Sequence, residues 1–314
     1  MRYYFAPMEG LTDSIYRQLH HTYFPGIHRY YTPFLSPTVH RSLTPKEQRE
    51  LPIADTLAYD VVPQILTKNA GDFLWMANQC ADRGYREVNL NLGCPSGTVT
   101  AKGKGSGMLT DPDNLDRFLD AIFSQAPVPV SIKTRLGLNS REEFPALLNI
   151  FNRYPVAELT VHPRVRNAFY KGDVDMESFA LAACNSVNPL CYNGNLYTME
   201  QIRELAVKFQ QIDRVMIGRG LIGDPGMVTP GGTTSEALEA FCRDLLEAYT
   251  EAFGSARNAM FRMKENWRYL SCRFEGSDKL YKQLRKTTDL DQYKAITAEI
   301  FRTLPLKSAL TPDW

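Results

Sequence analysis

The sequence of 314 residues lacks the features that mark membrane, secreted and zinc-binding proteins. No stretch approaches the roughly 18 consecutive apolar residues of a membrane span. The N-terminal segment has no long apolar run and no small-residue cleavage site, so we expect no signal peptide and a cytoplasmic protein. The six cysteines form no CxxC pair and no Cys/His cluster with zinc spacing. We therefore expect neither a disulfide framework nor a bound metal.

The composition is that of an ordinary globular protein. Hydrophobic residues make up 44% of the chain and charged residues 23%, which is enough apolar material for a packed core and excludes a disordered chain. The length allows one large domain and a small one. The formal net charge of +1 neither favours nor excludes a nucleic-acid partner. A monomer is the default expectation.

Short apolar runs alternate with segments of helical periodicity over the first 230 residues. Four of the intervening segments, 70–83, 114–124, 141–153 and 199–209, have helical spacing. Eight runs are rich in β-branched or aromatic residues, as buried parallel strands are: 3–6, 28–31, 61–65, 88–92, 128–132, 158–161, 190–192 and 215–217.

Eight strand–helix units over about 220 residues predict an α/β fold of the (β/α)8 TIM-barrel type. The alternative is a doubly wound open sheet, which usually has fewer strands and a glycine-rich turn after the first one. Here the first strand ends in Ala6-Pro7-Met8-Glu9-Gly10, without a GxGxxG motif. The barrel is therefore the favoured fold.

The pattern changes beyond residue 223. The run Pro-Gly-Gly-Thr-Thr at 230–234 is typical of a linker, and the chain after it is helical and poor in strands. We predict a catalytic barrel over 1–230 and a small bundle of three or four helices over 235–314. Residues 255–310 hold twelve Lys or Arg against six Asp or Glu, interleaved with aromatic residues. Such a face attracts polyphosphate backbones, although a solvated helical surface has the same pattern.

In a TIM barrel, functional groups lie at the C-terminal ends of the strands. The last two predicted strands are followed by Asn193-Gly194-Asn195 and Gly218-Arg219-Gly220. Glycine lets backbone N–H groups approach a phosphate, and Arg219 offers a charge-assisted contact. These two turns therefore predict a phosphate site.

Two further strand ends carry reactive side chains. Lys133 is either a surface lysine displaced by one residue in the predicted register or a cation beside the N1/O2 edge of a reduced flavin. Cys94, in the turn Gly93-Cys94-Pro95, is either an inert buried cysteine or a reachable thiol. Its glycine- and proline-bounded turn, followed by a polar glycine-rich stretch, favours the thiol that a ligand can reach.

These residues, in this order and spacing, resemble the tRNA-dihydrouridine synthase family over nearly the whole chain. The most specific match is NLNLGCP at 89–95, followed by KGKGSGML at 102–109. Weaker matches are APMEGLTD at 6–13, KTRLG at 133–137, His162-x-Arg164, and the two glycine turns at 193–195 and 218–220.

The resemblance implies a chemistry and a set of roles. NADPH would reduce FMN, whose N5 would pass a hydride to C6 of a uracil flipped out of tRNA, while Cys94 delivers a proton to C5. Asn91 and Arg135 would hold the uracil, and Lys282 and Arg285 of the basic module would contact the tRNA backbone. FMN would be held by Pro7, Met8, Gln64, Lys133, His162, Asn193, Gly194, Asn195, Gly218 and Arg219.

Two departures from the family pattern concern the substrate position. Pro163 replaces the glycine of a His-Gly-Arg-Thr element, and Asn195 stands where an acid is usual. Three alternatives stay open at this point. The protein could reduce a free pyrimidine or another small molecule, could bind flavin and RNA without catalysis, or could act on ribosomal RNA.

Overall fold

The computed structural model describes residues 1–313, which contain a parallel sheet of nine strands. The sheet order is β3-β2-β1-β9-β8-β7-β6-β5-β4, and its two ends, β3 and β4, follow each other directly in the chain, so the sheet returns on itself as a nearly closed barrel. The strands are β1 (Arg2–Phe5), β2 (Arg29–Tyr31), β3 (Val61–Val62), β4 (Gln64–Ile65), β5 (Val88–Leu92), β6 (Val130–Arg135), β7 (Leu159–His162), β8 (Leu190–Tyr192) and β9 (Arg214–Ile217).

The predicted TIM barrel is confirmed, and the ninth strand has a simple origin. The third predicted strand is divided at Pro63, which has no N–H to donate to a neighbouring strand. Its carbonyl still accepts from the N–H of Asn89 (2.8 Å), so the barrel wall continues across the interruption. Strand β6 also begins and ends later than predicted, which places Lys133 and Arg135 inside a strand.

Several helices begin at a residue whose side chain caps them. Asn69 accepts from the N–H of Asp72 at the start of one helix, and Asp111, followed by Pro112, starts another. The α-helices are α1 (Ser14–Tyr23), α2 (Pro45–Glu50), α3 (Ala70–Ala81), α4 (Gly97–Thr100), α5 (Pro112–Phe123), α6 (Phe144–Phe151), α7 (Met176–Asn185), α8 (Met199–Lys208), α9 (Arg219–Gly223), α10 (Ser235–Phe253), α11 (Ala256–Leu270), α12 (Asp278–Lys286) and α13 (Leu290–Thr303).

Helices α3, α5, α6 and α7 pack side by side in chain order, as the outer helices of a barrel do. Helix α5 shows why: Leu115, Phe118, Leu119 and Ile122 recur at helical spacing and are all buried. The predicted helix at 141–153 is shorter than expected. It begins as a 3-10 turn, Arg141–Glu143, and becomes α6 only at Phe144, with a proline in its first turn.

The chain divides into two compact units. The first comprises Met1–Pro7, His28–Asn195 and Leu205–Met216, and holds the barrel. The second comprises Met8–Ile27, Leu196–Glu204 and the chain from Ile217 onward. The predicted boundary between residues 230 and 235 stays a prediction.

The second unit is a helical assembly with an aromatic core. Helix α10 packs on α1 and α11, and α11 also contacts α9, α12 and α13. The Phe241 ring meets the Tyr16 ring edge to face at 5.4 Å, and the buried Trp267 Nε1 donates to Tyr293 Oη (2.9 Å). Within residues 1–313, no helix is long and apolar enough to cross a membrane.

Candidate active site

A chain of buried amides lines one wall of the barrel at the C-terminal ends of β4 and β5. The N–H groups of Gly93 and Cys94 both donate to Oδ1 of Asn91 (3.0 and 2.9 Å). Because Oδ1 must accept, the Asn91 Nδ2 must donate, and it does so to Oε1 of Gln64 (2.7 Å). The turn that carries the thiol is thus tied to the barrel wall.

The hydrogen bonds continue along the barrel wall with each side chain donating to the next. Gln64 Nε2 donates to Oδ1 of Asn89 (2.8 Å), and Asn89 Nδ2 donates to Oγ of Ser131 (2.9 Å), whose hydroxyl donates to the Val88 carbonyl (3.4 Å). At one end of this series, the N–H groups of Gly93 and Cys94 can only donate, and at the other end the Val88 carbonyl can only accept. None of the three side-chain amides can therefore exchange the positions of its oxygen and nitrogen. Among the hydrogen bonds of residues 1–313, each amide donates only once, which leaves each of the three with one N–H for a ligand acceptor.

Cys94 is also held from its other side. Its carbonyl accepts from the N–H (3.2 Å) and the hydroxyl (2.8 Å) of Ser106. Gly105 has φ +58°, and a Cβ there would lie 3.0 Å from the Cys94 carbonyl oxygen and 3.1 Å from its Cβ. The glycine-rich stretch therefore packs against the cysteine and fixes its backbone. The side chain of Cys94 is partly exposed.

Lys133 is an unusual cation in this setting. It lies on β6 opposite Asn91, close enough to Cys94 for the two side chains to interact electrostatically. Burial lowers the pKa of Lys133 to about 7, and the positive charge of Arg135 acts in the same direction. Within the described residues, its ammonium makes no hydrogen bond or ion pair. An anionic ligand would supply the missing partner.

Arg135 braces the loops at the barrel mouth. Its Nε donates to the Gly93 carbonyl (2.9 Å), and its Nη1 donates to the carbonyls of Val165 (3.1 Å) and Phe169 (2.7 Å). Burial lowers the pKa of Arg135 to about 10. These bonds tie the cysteine turn to the loop after β7, so Arg135 positions both. A direct contact with uracil stays a prediction.

The two departures from the family pattern lie in the loops after β7 and β8, and Arg164 connects these loops. His162 is buried, and its Nε2 lies 3.0 Å from Nη1 of Arg164. The same Nη1 donates to Oδ1 of Asn195 (3.3 Å). The amide oxygen at position 195 thus accepts from a guanidinium that also meets His162. Pro163 contributes its carbonyl, which accepts from the Asp175 N–H (2.8 Å) at the start of α7.

The remaining predicted residues of the barrel unit lie at strand ends. Asn193 Nδ2 donates to the Met216 carbonyl (2.8 Å), which joins the ends of β8 and β9. A Cβ on Gly194 would collide with the Tyr192 hydroxyl, so a larger residue there would require the Tyr192 ring to move. Pro7 follows β1 after one residue and is partly buried.

Three predicted flavin residues belong to the second unit. The Met8 carbonyl accepts from the N–H groups of Leu11 (2.9 Å) and Thr12 (3.0 Å) in a tight turn. Gly218 precedes α9, and Arg219 Nη2 donates to Tyr197 Oη (2.9 Å). Their roles toward a phosphate stay predictions.

The basic set of the C-terminal helices divides into structural and exposed cations. Arg273 is 8% exposed and pairs with Asp224, 9% exposed, at 3.2 Å, so it is unavailable to a polyanion. Lys264 donates to the Thr287 carbonyl. Exposed cations lie on several of these helices, and four of them form a run on α12: Lys279, Lys282, Arg285 and Lys286.

Sequence reasoning missed the parts of the site that act through other residues. Asn89 and Ser131 complete the amide chain, and Ser106 and Gly105 hold Cys94. One signal was available: Asn89 precedes Asn91 by two residues, the spacing that puts strand residues on one face. No group of three His, Cys, Asp or Glu side chains in residues 1–313 is arranged to hold a metal ion.

Solved structures with a similar fold include morphinone reductase. A mutant in complex with tetrahydroNAD has a TM-score of 0.51 at 11% identity, over 72% of this chain and 85% of that one. A second morphinone reductase structure has a TM-score of 0.51 at 12% identity, over 72% and 84% of the two chains. At these identities the likeness shows the fold alone. Fold and site together define a TIM barrel whose mouth combines a cysteine, a lysine and buried amide side chains.

The particular family follows from the sequence relatives. The model described as "Dihydrouridine synthase (Dus)" matches residues 4–302, and the chain belongs to the dihydrouridine synthase family. "tRNA-dihydrouridine synthase B" of Proteus vulgaris is 29% identical over 221 residues, 70% of this chain and 67% of the relative. A "Probable tRNA-dihydrouridine synthase" of Staphylococcus aureus is 28% identical over 316 residues, 94% of this chain and 91% of the relative.

Proposed function

We propose that this chain reduces uridine in tRNA to 5,6-dihydrouridine, with FMN as its bound cofactor and NADPH as the reductant. The observation that carries the proposal is the placement of Lys133 and Cys94 next to Asn91 at the barrel mouth. Lys133 lies opposite Asn91 on the neighbouring strand, and the N–H of the partly exposed Cys94 donates to Oδ1 of Asn91. The family and the names of the relatives supply the reaction class.

The residues at the mouth fit a flavin. A flavin carries carbonyl and ring-nitrogen acceptors, and it gains negative charge when reduced. The amide wall of Gln64, Asn89 and Asn91 has unused N–H donors for such acceptors, and the Lys133 ammonium complements the negative charge. Pro7, His162, Asn193, Gly194 and Asn195 complete the proposed FMN contacts of the barrel unit, with Met8, Gly218 and Arg219 as those of the second unit.

When bound and reduced by NADPH, FMN supplies the hydride from N5 to uracil C6. Cys94 acts as the general acid: its S–H bond breaks as a C–H bond forms at C5, and the thiolate left behind takes a proton from water. The hydrogen bonds of Asn91 and Ser106 to its backbone fix the turn that carries the thiol, so little ordering of this turn is needed when the uracil arrives.

The choice of tRNA as substrate rests on charge and on the relatives. The exposed run Lys279, Lys282, Arg285 and Lys286 on α12 suits a phosphate backbone, which a free pyrimidine does not have. Both relatives described above are named for tRNA.

The test is to map dihydrouridine in tRNA and ribosomal RNA from cells with and without the gene for this protein. We expect at least one tRNA position to lose its dihydrouridine and to regain it with purified protein, FMN and NADPH. Unchanged tRNA, or loss confined to ribosomal RNA, would refute the tRNA assignment. Turnover of free uracil or uridine at rates matching those on tRNA would refute the requirement for RNA.

A further inference from the structure

The loop after β7 carries an aromatic residue in a backbone conformation that favours glycine. Phe169 has φ +49° and ψ −103°. The Lys171 N–H donates across it to the Ala168 carbonyl (2.8 Å). This geometry matches the first central position of a type II′ turn, where glycine is preferred because positive φ crowds a Cβ. A phenylalanine at this position is strained.

Burial does not account for this residue. Phe169 is 41% exposed, and Tyr170 beside it is 47% exposed. A ring that keeps this much of its surface in water contributes less hydrophobic stabilisation than a buried one, so packing alone does not explain why the strained position carries a phenylalanine. Strain that packing does not explain is concentrated at functional sites in proteins.

The strained turn is attached to the cysteine turn. The Arg135 guanidinium donates to the Phe169 carbonyl and to the Gly93 carbonyl, so one side chain bridges Phe169 and the residue before Cys94. Arg166 Nη2 donates to Thr100 Oγ1 at the end of α4 (3.0 Å). Phe169 therefore lies at the rim of the candidate active site, within the barrel unit.

The charge around the ring indicates the kind of ligand. Arg166, which is partly exposed, and Lys171, which is exposed, flank Phe169, and segment 164–172 contains no acidic residue. The Arg166 guanidinium carbon lies 5.4 Å from the centroid of the Phe169 ring. Exposed aromatic rings among cations are how proteins hold unpaired nucleotides, with a base stacked on the ring and phosphates near the cations. Two rings are far too small for a protein interface, which takes about 800 Å² per partner.

We propose that the Phe169 ring stacks on an unpaired nucleobase next to the uridine that is reduced. The inference rests on the proposed function, because it assigns a subsite for the flanking nucleotide of that substrate. Stacking there would hold the RNA strand at the rim while the neighbouring uracil enters the barrel. Base–aromatic stacking tolerates any base, so the subsite would favour unpaired RNA without reading its sequence.

The test measures equilibrium binding of a fluorescein-labelled, unmodified tRNA transcript pool to the flavin-loaded protein, which requires no turnover. We expect Phe169→Leu, which keeps the strain and most of the apolar volume but removes the ring, to weaken binding about tenfold. Phe169→Tyr retains a ring and should stay within about twofold of wild type on the same stacking argument. Ile53→Ala, at another exposed apolar position (53% exposed), is the matched control and should bind as wild type does.

A fourth variant separates recognition from a structural role. Phe169→Gly relieves the turn and should raise the melting temperature while RNA affinity falls as in Phe169→Leu. A fall in both quantities would overturn the proposal, as would equal affinity of the wild-type, leucine and tyrosine proteins.

Dihydrouridine formation by the wild-type protein tests the proposed function separately. If that reaction is absent, the proposed function fails, and the binding series still decides whether Phe169 stacks on a base. A wild-type protein that does not bind the transcript pool overturns both.

Discussion

Two charged side chains of the barrel, Glu158 and Lys133, differ in the hydrogen-bond partners that surround them. Glu158, before β7 at the floor, accepts from Tyr31 Oη (3.3 Å), Thr160 Oγ1 (3.2 Å) and Arg214 Nη1 (3.1 Å). Lys133, at the mouth, has no such partner among the described residues. Burial raises the pKa of Glu158 and lowers that of Lys133. In both cases the interior disfavours the charged form, and only the floor provides compensation.

This difference suggests that the charge of Glu158 stabilises the fold, whereas the charge of Lys133 is available to a ligand. Burying an uncompensated charge costs free energy, so folding alone gives no reason to retain Lys133. We therefore expect substitutions at the mouth to change chemistry with little loss of stability, and substitutions at the floor to do the reverse. The following predictions test this division, beginning with the largest effect.

Cys94→Ala should lower the rate of dihydrouridine formation on tRNA by about 10²- to 10⁴-fold, the range for loss of a general acid. Flavin absorbance and melting temperature should stay as in wild type, because the hydrogen bonds that hold residue 94 come from its backbone. The matched control is Cys184→Ala at an exposed cysteine, which should be fully active. A fully active Cys94→Ala protein would remove the thiol from the mechanism.

Glu158→Ala should lower the free energy of unfolding by about 3–5 kcal/mol, because it strips Arg214 and two hydroxyls of a buried partner. Urea unfolding measures this loss, and kcat of the folded protein should stay within about twofold if floor and mouth are independent. Glu177→Ala, at a carboxylate that is 83% exposed, should change the stability by less than about 0.5 kcal/mol. A Glu158→Ala protein that is stable but inactive would contradict the division between the floor and the mouth.

Lys133 predicts a pH dependence of stability with a definite sign. Its pKa in the folded protein is about 7, below the value of 10.5 for an unperturbed lysine, so between these pH values the unfolded chain binds more protons. The free energy of unfolding must then rise with pH over that window, and below pH 7 the full penalty of the buried cation applies.

The measurement compares flavin-free wild type with Lys133→Met. We expect the wild type to gain about 2 kcal/mol relative to the variant between pH 7 and pH 9, after allowance for partial exposure of the ammonium. The variant should also bind flavin more weakly. Parallel stability curves for the two proteins would mean that Lys133 has a partner and that the mouth resembles the floor.

The fold was predictable because its signals are local. Runs of β-branched or aromatic residues mark most strands, and capping residues such as Asp111 and Asn69 mark some helix starts. The division of the third strand at Pro63 was not predicted, because a proline at a strand edge and one inside a barrel wall look alike in sequence. Basic residues whose side chains bond within the protein, such as Arg262, Lys264 and Arg273, were likewise indistinguishable from exposed ones.

The candidate site was predictable only in part. Lys133 and Cys94 stand out because strand ends in a barrel converge. The hydrogen bonds among the amide side chains join residues of β4, β5 and β6. Their formation depends on distances between strands, and the sequence of one strand does not give these distances. Phe169 had no signal, since the turn from Ala168 to Lys171 contains no glycine, asparagine or aspartate to mark it.

Asn89 lies between the mouth and the floor, and its substitution tests whether the amide side chains serve catalysis or stability. Asn89→Ala removes the acceptor of Gln64 Nε2, so the Gln64 amide can turn and release Asn91, which positions the Cys94 turn. We expect kcat to fall about tenfold with KM for tRNA unchanged, because positioning of the thiol is lost while the RNA-binding surface is intact. Ser131→Ala, which leaves Gln64 anchored, should have a smaller effect, and Asn78→Ala on the exposed face of α3 should have none. If Asn89→Ala lowered only the melting temperature, the hydrogen-bonded amides would serve stability, as Glu158 does, and not catalysis.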